Sequence, residues 1–278
     1  MSGPRRLLAA AWVGVFVVAA CSSATSTPAP TAVLSATSGA TGSAAASAGA
    51  PSQAHWSYEG SEGPAHWGAL DPAYAACADG KEQSPIDITG AVKTDTAAPS
   101  IAYVSRPSTV ANNGHSVEAA AASGSTLTLG GTTYALIRMH FHSPIETTVD
   151  GARFHVELHF VHESSDGRAV VLAAFVQVGA QNTAWDPLVQ ALSTAKGAQT
   201  DIEMDWSALV PTPFTTYQYA GSLTTPPCTE GVQWLVSTVP VQMSQAQVDA
   251  FAAAYSGNDR PTQPLNGREI TLEAQPVR

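Results

Sequence analysis

Charged side chains are scarce in this sequence, and basic ones are the scarcest. Only 12% of the 278 residues are charged, and 12 Lys and Arg against 22 Asp and Glu leave a net charge of −10. A surface that binds nucleic acid needs clustered Lys and Arg to contact phosphates, and no basic cluster is visible beyond Arg5-Arg6. The composition therefore argues against nucleic acid as a partner.

Long apolar runs are also rare, and the longest one follows that arginine pair. It is too short to span a bilayer easily and is typical of a secretory signal. Its end, Val18-Ala19-Ala20-Cys21, resembles the lipobox of bacterial lipoproteins. We predict a lipoprotein signal peptide over 1–21 and lipidation of Cys21. The exported protein would then be anchored to a lipid bilayer and would face the periplasm or the cell exterior. An ordinary signal peptide cut near Ala20 is the alternative.

The next segment lacks both charge and large side chains. Residues 22–54 consist almost entirely of Ala, Ser, Thr, Gly and Pro, which cannot bury enough surface to offset the entropy of ordering. We predict a disordered tether there, with no transmembrane helix after it. Residues 55–278 are then long enough for a single folded domain.

Cysteine is nearly absent, with three in the chain. If Cys21 is acylated, Cys77 and Cys228 remain, and an exported compartment permits a disulfide between them. Two free buried thiols are the alternative.

The middle of the chain is rich in Val, Thr and aromatic residues, interrupted by Gly-Gly and Asp-Gly turns, which is typical of β-strands. Strands are predicted within 125–142, 153–163, 168–179 and 231–241. Helices are predicted within 184–197 and 244–255, the second starting with a Ser-x-x-Gln capping box, and a loop over 55–72. The predicted fold class is α+β, dominated by an extended sheet.

Histidine is concentrated in one place, because five of the eight lie within residues 138–163. Side chains alternate along a strand, so His140 and His142 share a face. A hairpin centred on Asp150-Gly151 predicts that His159 lies opposite His142, with His140 diagonal to it. Three imidazoles on one patch of sheet indicate a metal site, and the alternative is unrelated histidines on a partly polar face.

Other residues refine this interpretation. Glu157 shares the face of His159 and is expected to accept the spare ring N–H of that ligand. His162 falls on the other face as a structural or surface residue, and His155 is expected to be exposed. Three His ligands with no Cys available favour zinc with an open coordination position. Water can occupy that position, which indicates a catalytic and not a structural metal site. The lack of a His-Glu-x-x-His helix argues against a zinc peptidase.

Seven stretches, in order, resemble the α-class carbonic anhydrases of the bacterial exported type over about residues 55–275. They are HWSYEGSEGPAHWG, GKEQSPIDI, NNGHSV, MHFHSPIE, VELHFVH, YAGSLTTPPCTEGVQW and RPTQPLNGR. The resemblance implies a large, mostly antiparallel twisted sheet with peripheral helices and a Zn²⁺ site on its central strands. It also implies reversible hydration of carbon dioxide to bicarbonate by zinc-bound hydroxide.

The resemblance assigns roles to individual residues. His140, His142 and His159 match the zinc ligands, and Glu157 matches the acceptor behind His159. Thr224 matches the residue that accepts a hydrogen bond from zinc hydroxide and donates one to Glu146, and His115 matches the proton shuttle. Polar residues that order water correspond to Tyr58, Asn113 and Thr225. The walls of the carbon dioxide pocket correspond to Val161, Val171, Leu223 and Trp234, and the disulfide of exported members to Cys77 and Cys228.

From the residues alone, each of these positions has a plainer explanation. Thr224 reads as a turn threonine, His115 as a surface histidine after Asn-Gly, and the four apolar residues as core.

The chain departs from the family at two positions beside the metal site. Arg138 stands where the family usually has Gln, and an arginine cannot accept the N–H of His140. Thr147 stands where the family has His. We therefore expect an active enzyme with slower turnover or weaker zinc binding than is typical. The alternative function is a catalytically impaired, zinc-binding surface module on the same fold.

Overall fold

The computed structural model describes residues 54–95, 98–210 and 214–273. These residues belong to one compact unit that spans 50–278. The predicted signal peptide, Cys21 and almost all of the predicted tether lie outside the described residues. Ala54, the last residue assigned to the tether, is hydrogen-bonded to the domain, because its carbonyl accepts the hydroxyl of Tyr74 at 2.9 Å.

Fifteen strands occur among the described residues. They are β1 Asp87–Ile88, β2 Val92–Thr94, β3 Ser100–Ala102, β4 Ser105–Asn112, β5 Val117–Ala121, β6 Thr126–Leu129, β7 Thr132–His142, β8 Thr148–Val149, β9 Val156–Glu163, β10 Ala169–Val178, β11 Gln199–Asp205, β12 Thr216–Ser222, β13 Glu230–Ser237, β14 Val241–Met243 and β15 Thr271–Glu273. Four α-helices accompany them: α1 Trp67–Leu70, α2 Ala76–Asp79, α3 Asp186–Ala191 and α4 Gln245–Ala254. Short 3₁₀ helices cover Gly60–Glu62, Pro72–Tyr74, Thr183–Trp185 and Trp206–Ala208.

Thirteen of the strands form one large sheet, whose main path runs β11-β4-β5-β7-β9-β10-β13-β12-β15-β2. Most neighbours are antiparallel, and β10 pairs in parallel with β13 and β14, as β15 does with β2. The predicted β-dominated fold is thus confirmed. Strands β7 and β9, which carry the histidines, are paired near the middle of this path.

The two faces of the central strands are covered differently. One face packs on α3 and α4 through residues such as Phe141, Phe160 and Phe251. The other face carries a smaller apolar cluster that includes Val161, Val171 and Trp234. Because both faces are covered, β9 is buried over Val156–His162, and only one of its faces carries the metal-site residues.

A β-bulge in β7 sets which residues face the metal site. Leu136 pairs with His162 and Arg138 pairs with Val161, so Ile137 is an extra residue on β7. Leu136 packs in the cluster on the helical face, whereas Arg138 and His140 line a cavity on the other face. Beyond the bulge, strand alternation keeps His140 and His142 on that second face.

The sequence predicted one helix well and misjudged two other segments. Helix α4 begins with the predicted capping box between Ser244 and Gln247. Helix α3 ends at Ala191 instead of continuing to 197, because the chain turns there towards β11 and the carbonyl of Thr194 accepts the side-chain amide of Asn112. The predicted loop over 55–72 contains α1 and a 3₁₀ turn, held by the buried Trp67, whose indole N–H donates to two backbone carbonyls.

Candidate metal centre

The three predicted histidines meet on one face of the β7–β9 pair. One nitrogen from each of His140, His142 and His159 lies within 4.8 Å of the others. The ring centroids are 4.7–5.1 Å apart. Among the described residues this cluster contains no carboxylate or thiolate, so the donor set is three imidazoles.

The predicted strand register was wrong by two residues. His140, and not His142, lies opposite His159, while His142 pairs with Glu157. Strand β7 ends at His142, and the following residues do not continue the ladder, because β8 pairs in parallel with β1. The face was nevertheless correct, since a shift of two residues preserves the alternation.

Hydrogen bonds fix two of the rings and leave nitrogens free for a metal. His142 Nδ1 lies 2.6 Å from the carbonyl of Asn258, and its buried Nε2 has no hydrogen-bond partner. His159 Nε2 lies 3.0 Å from Glu157 Oε1, which directs its other nitrogen to the cluster. Buried imidazole nitrogens without partners are costly unless something binds them, and the set fits zinc.

Burial also favours the protonation state that binds metal. It lowers the pKa of His140 and of His142 well below the ordinary value, and the neighbouring imidazoles lower both further. Both rings are therefore neutral near neutral pH. Neutral imidazole is the form that donates an electron pair to a metal ion.

Glu157 has the position expected of a partner for His159. The carboxylate is fully buried, and its second oxygen accepts the backbone N–H groups of Glu146 and Thr147 at 2.9 and 2.8 Å. Three donors thus satisfy the carboxylate and fix its orientation towards His159. The hydroxyl of Thr147, where the family has His, is buried without a partner.

Arg138 supports its neighbouring metal ligand, His140, less well than Glu157 supports His159. The buried Nδ1 of His140 has no hydrogen-bond partner, as expected if arginine cannot accept its N–H. The guanidinium turns to an acid instead, since Arg138 Nε lies 3.5 Å from Glu118 Oε2. His140 is consequently the least supported of the three rings.

Replacing Arg138 with Gln is expected to tighten zinc binding by about 10- to 100-fold, because a glutamine carbonyl can accept the His140 N–H. The dissociation constant for zinc, measured by competition with a chelator, checks this. Arg168→Gln removes an arginine from a surface ion pair with Asp166 and is the matched control. Equal zinc affinities in wild type and Arg138→Gln would contradict the prediction.

Glu146 and Thr224 lie next to the cluster. Glu146 Oε1 accepts the backbone N–H of Arg260 at 2.8 Å and lies 3.3 Å from His142 Nδ1. Burial, with help from Glu157, raises the pKa of Glu146 well above its ordinary value, while the Arg260 amide and the Thr224 hydroxyl lower it. Oε2 of Glu146 is buried and has no hydrogen-bond partner, so it remains available to accept a proton from a hydroxyl.

A small cavity of about 50 Å³ opens beside the histidines. All four residues predicted for the carbon dioxide pocket line it. The complete lining is Arg138, His140, His159, Val161, Val171, Leu223, Thr224, Thr225 and Trp234. One wall is therefore apolar, and the other carries hydroxyls and imidazoles.

His115 lies in a separate, wider opening of about 360 Å³, which Tyr58 also lines. Its ring stacks on Trp56, with centroids 3.8 Å apart and planes 11° apart. The Asn113 side chain caps the turn, since its oxygen accepts the N–H groups of His115 and Ser116 at 2.8 Å each. Asn113 therefore holds the backbone of His115, a function that the sequence did not suggest.

The remaining predictions from the sequence can be placed as well. His155 is exposed, and His162 is buried on the other face with its ring 2.6 Å from the Tyr103 hydroxyl, so neither joins the cluster. Cys77 and Cys228 form the predicted disulfide, with Cα atoms 5.0 Å apart. Cys228 also donates its backbone N–H to Thr225, so the disulfide ties α2 to the loop that carries Thr224.

Three residues of the site were missed from the sequence. Asn258 binds His142, Arg260 binds Glu146, and Glu118 pairs with Arg138. Asn258 and Arg260 act through backbone groups, which no side-chain pattern reveals. Glu118 could have been found by asking which acid on the neighbouring strand offsets Arg138.

Comparisons with known proteins agree with this geometry. A family model of eukaryotic-type carbonic anhydrases matches residues 62–274. The carbonic anhydrase of Pectobacterium atrosepticum is 43% identical over 226 residues, covering 80% of this chain and 92% of the relative. The carbonic anhydrase of Klebsiella pneumoniae is 42% identical over 225 residues, covering 78% and 90%.

Solved structures have the same fold. The α-carbonic anhydrase of Thermovibrio ammonificans, in complex with the inhibitor sulfanilamide, is 41% identical with a TM-score of 0.76, covering 78% of this chain and 99% of that one. Dioscorin complexed with ascorbate is 30% identical with a TM-score of 0.73, covering 78% and 97%.

The sheet and its three histidines define the class of a zinc-dependent lyase. The chain belongs to the eukaryotic-type, or α-class, carbonic anhydrase family. Enzymes of this class use zinc, which fits the three imidazoles described above.

Proposed function

We propose that the protein catalyses the reversible hydration of carbon dioxide to bicarbonate and a proton, with zinc held by His140, His142 and His159. The observation that carries the proposal is the set of three closely spaced imidazoles beside a cavity with one apolar wall. When bound, zinc supplies a Lewis acid that activates water as a nucleophile near neutral pH.

Thr224 positions the nucleophilic water in this proposal. Its hydroxyl has one proton, and we infer that Thr224 donates it to Oε2 of Glu146, which has no other hydrogen-bond partner. The hydroxyl oxygen can then only accept a hydrogen bond from water in the cavity. This restricts the orientation of the water and directs a lone pair to the substrate.

The apolar wall suits the neutral substrate. Val161, Val171 and Trp234 are almost fully buried, and Leu223 completes the wall. Carbon dioxide gains by leaving water for such a surface, whereas the bicarbonate product is charged and gains nothing there. The apolar wall therefore favours entry of the neutral substrate and offers no attraction to the charged product.

Stopped-flow measurement of carbon dioxide hydration tests the proposal. The protein is assayed as purified, after removal of metal with a chelator, and after addition of zinc. We expect activity to be lost on chelation and restored by zinc. The alternative of an impaired surface module predicts that zinc binds without accelerating hydration, and that result would reject the enzyme.

His115 is proposed to carry the proton between the cavity and bulk buffer. Burial lowers the pKa of His115 below 6.5, and His55 and Lys196 lower it further, so the ring is neutral and able to accept a proton at neutral pH. Replacing His115 with Ala is expected to reduce the hydration rate in weak buffer by about 100-fold or more. The part of the rate that depends on His115 should fall as the pH drops through a value below 6.5.

Added imidazole buffer should restore most of the rate of His115→Ala, because a diffusing base replaces the missing one. His155→Ala, which removes an exposed histidine outside the cluster, is the control and should keep the wild-type rate. A loss that imidazole does not rescue would indicate a structural role for His115.

We also propose that Cys21 is lipidated and anchors the enzyme outside the cytoplasm. The support is the Val-Ala-Ala-Cys sequence and the uncharged segment after it. Among the described residues no helix is long and apolar enough to cross a membrane. Incorporation of a labelled fatty acid into the wild type but not into Cys21→Ser is the test.

A further inference from the structure

Arg138 brings a charge into the cavity beside the histidines. It follows the bulge at Ile137 and shares its face with His140. Among the described residues that line the cavity, Arg138 is the only Lys, Arg, Asp or Glu. Neither the apolar wall nor the threonine hydroxyls neutralise this charge.

The charge of Arg138 is only partly satisfied by the protein. Its Nε is 3.5 Å from Glu118 Oε2, and this buried N–H has no hydrogen bond of regular geometry. The other oxygen of Glu118 is held at 3.0 Å by the side-chain amide of Asn113, in the turn before His115. Glu118 is therefore shared between two partners and leaves the guanidinium donors available.

A guanidinium in this position has a clear chemical preference. Its planar set of N–H donors matches planar anions with two or more oxygens, such as carboxylates and bicarbonate, and can bind them through two parallel hydrogen bonds. The side chain is 37% exposed, so solvent screens part of the attraction, and the paired geometry of the N–H donors carries the preference. A glutamine, which is neutral, lacks this preference.

We propose that Arg138 forms an anion subsite in the cavity, which takes bicarbonate and other small planar anions, and that Glu118 limits its affinity by competing for the guanidinium. The inference rests on the proposed function, because bicarbonate is the product there. Arg138 acts as a specificity residue, holding the charged product longer than the apolar wall alone would. Bicarbonate and formate should accordingly inhibit hydration more strongly than they do in a variant without the charge.

The test is direct anion binding to three variants and the wild type, with cobalt in place of zinc as a visible reporter. Bicarbonate and formate are titrated against the cobalt absorption spectrum. Arg138→Met removes the charge without adding an acceptor for His140, and its dissociation constants are expected to rise about 10-fold. Glu118→Gln frees the guanidinium, and its dissociation constants should fall about threefold. Arg168→Met, which breaks the surface pair with Asp166, is the matched control and should bind as wild type does.

Opposite shifts in the two cavity variants are the signature of the subsite. If Arg138 only supports the fold, both variants weaken binding alike, and this result overturns the inference. Unchanged constants in Arg138→Met overturn it too. If Arg138→Met fails to fold, two other variants decide. Glu118→Gln should bind anions more tightly than wild type, and the charge-conserving Arg138→Lys should bind them within a few-fold of wild type. A wild type with no zinc-dependent hydration would instead reject the proposed function, whatever the anion titrations give.

Discussion

Replacing His159 with Ala is expected to abolish zinc binding and to reduce carbon dioxide hydration strongly. The loss of a residue that only hydrogen-bonds to a metal ligand typically costs about 10- to 100-fold, and the loss of the ligand itself should cost far more. The donor set contains three imidazoles and no fourth protein ligand among the described residues, so removing one leaves only two. Two neutral nitrogens do not hold zinc against water. Metal content and stopped-flow hydration rates, measured on the same preparation, check the prediction.

Two variants calibrate this result. Glu157→Gln keeps the ring of His159 but weakens its 3.0 Å hydrogen bond, so it should show the smaller, 10- to 100-fold loss. His155→Ala should retain both zinc and activity. A His159→Ala protein with full zinc content would mean that the metal lies elsewhere.

Removing the disulfide with Cys77→Ser and Cys228→Ser together is expected to give the largest loss of stability. The cysteines are separated by 151 residues. Closing so long a loop in the unfolded chain stabilises the native state by about 5 kcal/mol in the chain-entropy model. A domain of this size should then unfold about 10–20 °C lower. Thermal unfolding followed by circular dichroism measures the change.

Loss of the disulfide should reduce the hydration activity of the double variant more than it reduces its content of secondary structure. Cys228 follows Thr224 and Thr225 in a loop whose position the disulfide fixes against α2, so its removal frees the threonines first. Arg168→Gln, which breaks only the surface ion pair with Asp166, is the control. Equal unfolding temperatures in the double variant and the control would show that the unfolded chain gains little freedom.

The alternation of side chains along strands predicted the face of the metal site, and it failed on the register. His140, His142 and His159 share a face in any register that differs by an even number of residues. The actual pairing depends on how the chain leaves β7 after His142, and there β8 pairs with β1, about 60 residues earlier in the sequence. A local turn pattern such as Asp150-Gly151 contains no information about that distant partner.

The same distinction separates the site residues that were predicted from those that were missed. Glu157 follows from its spacing to His159, and Arg138 from its spacing to His140. Asn258 and Arg260 come from a segment more than 100 residues later and bind through backbone atoms. Only the assembled fold brings them to the histidines.

Arg260 links two parts of the molecule that are far apart in sequence. Its backbone N–H holds Glu146, while its buried guanidinium donates to the carbonyls of Cys77 and Ser84 and to the side chain of Gln83. The guanidinium also lies over the ring of Trp67, 5.8 Å from its centroid. Residues 67–84 thus take the place of solvent around this cation, and a shortened protein must keep them if the carboxylate next to the metal is to stay in place.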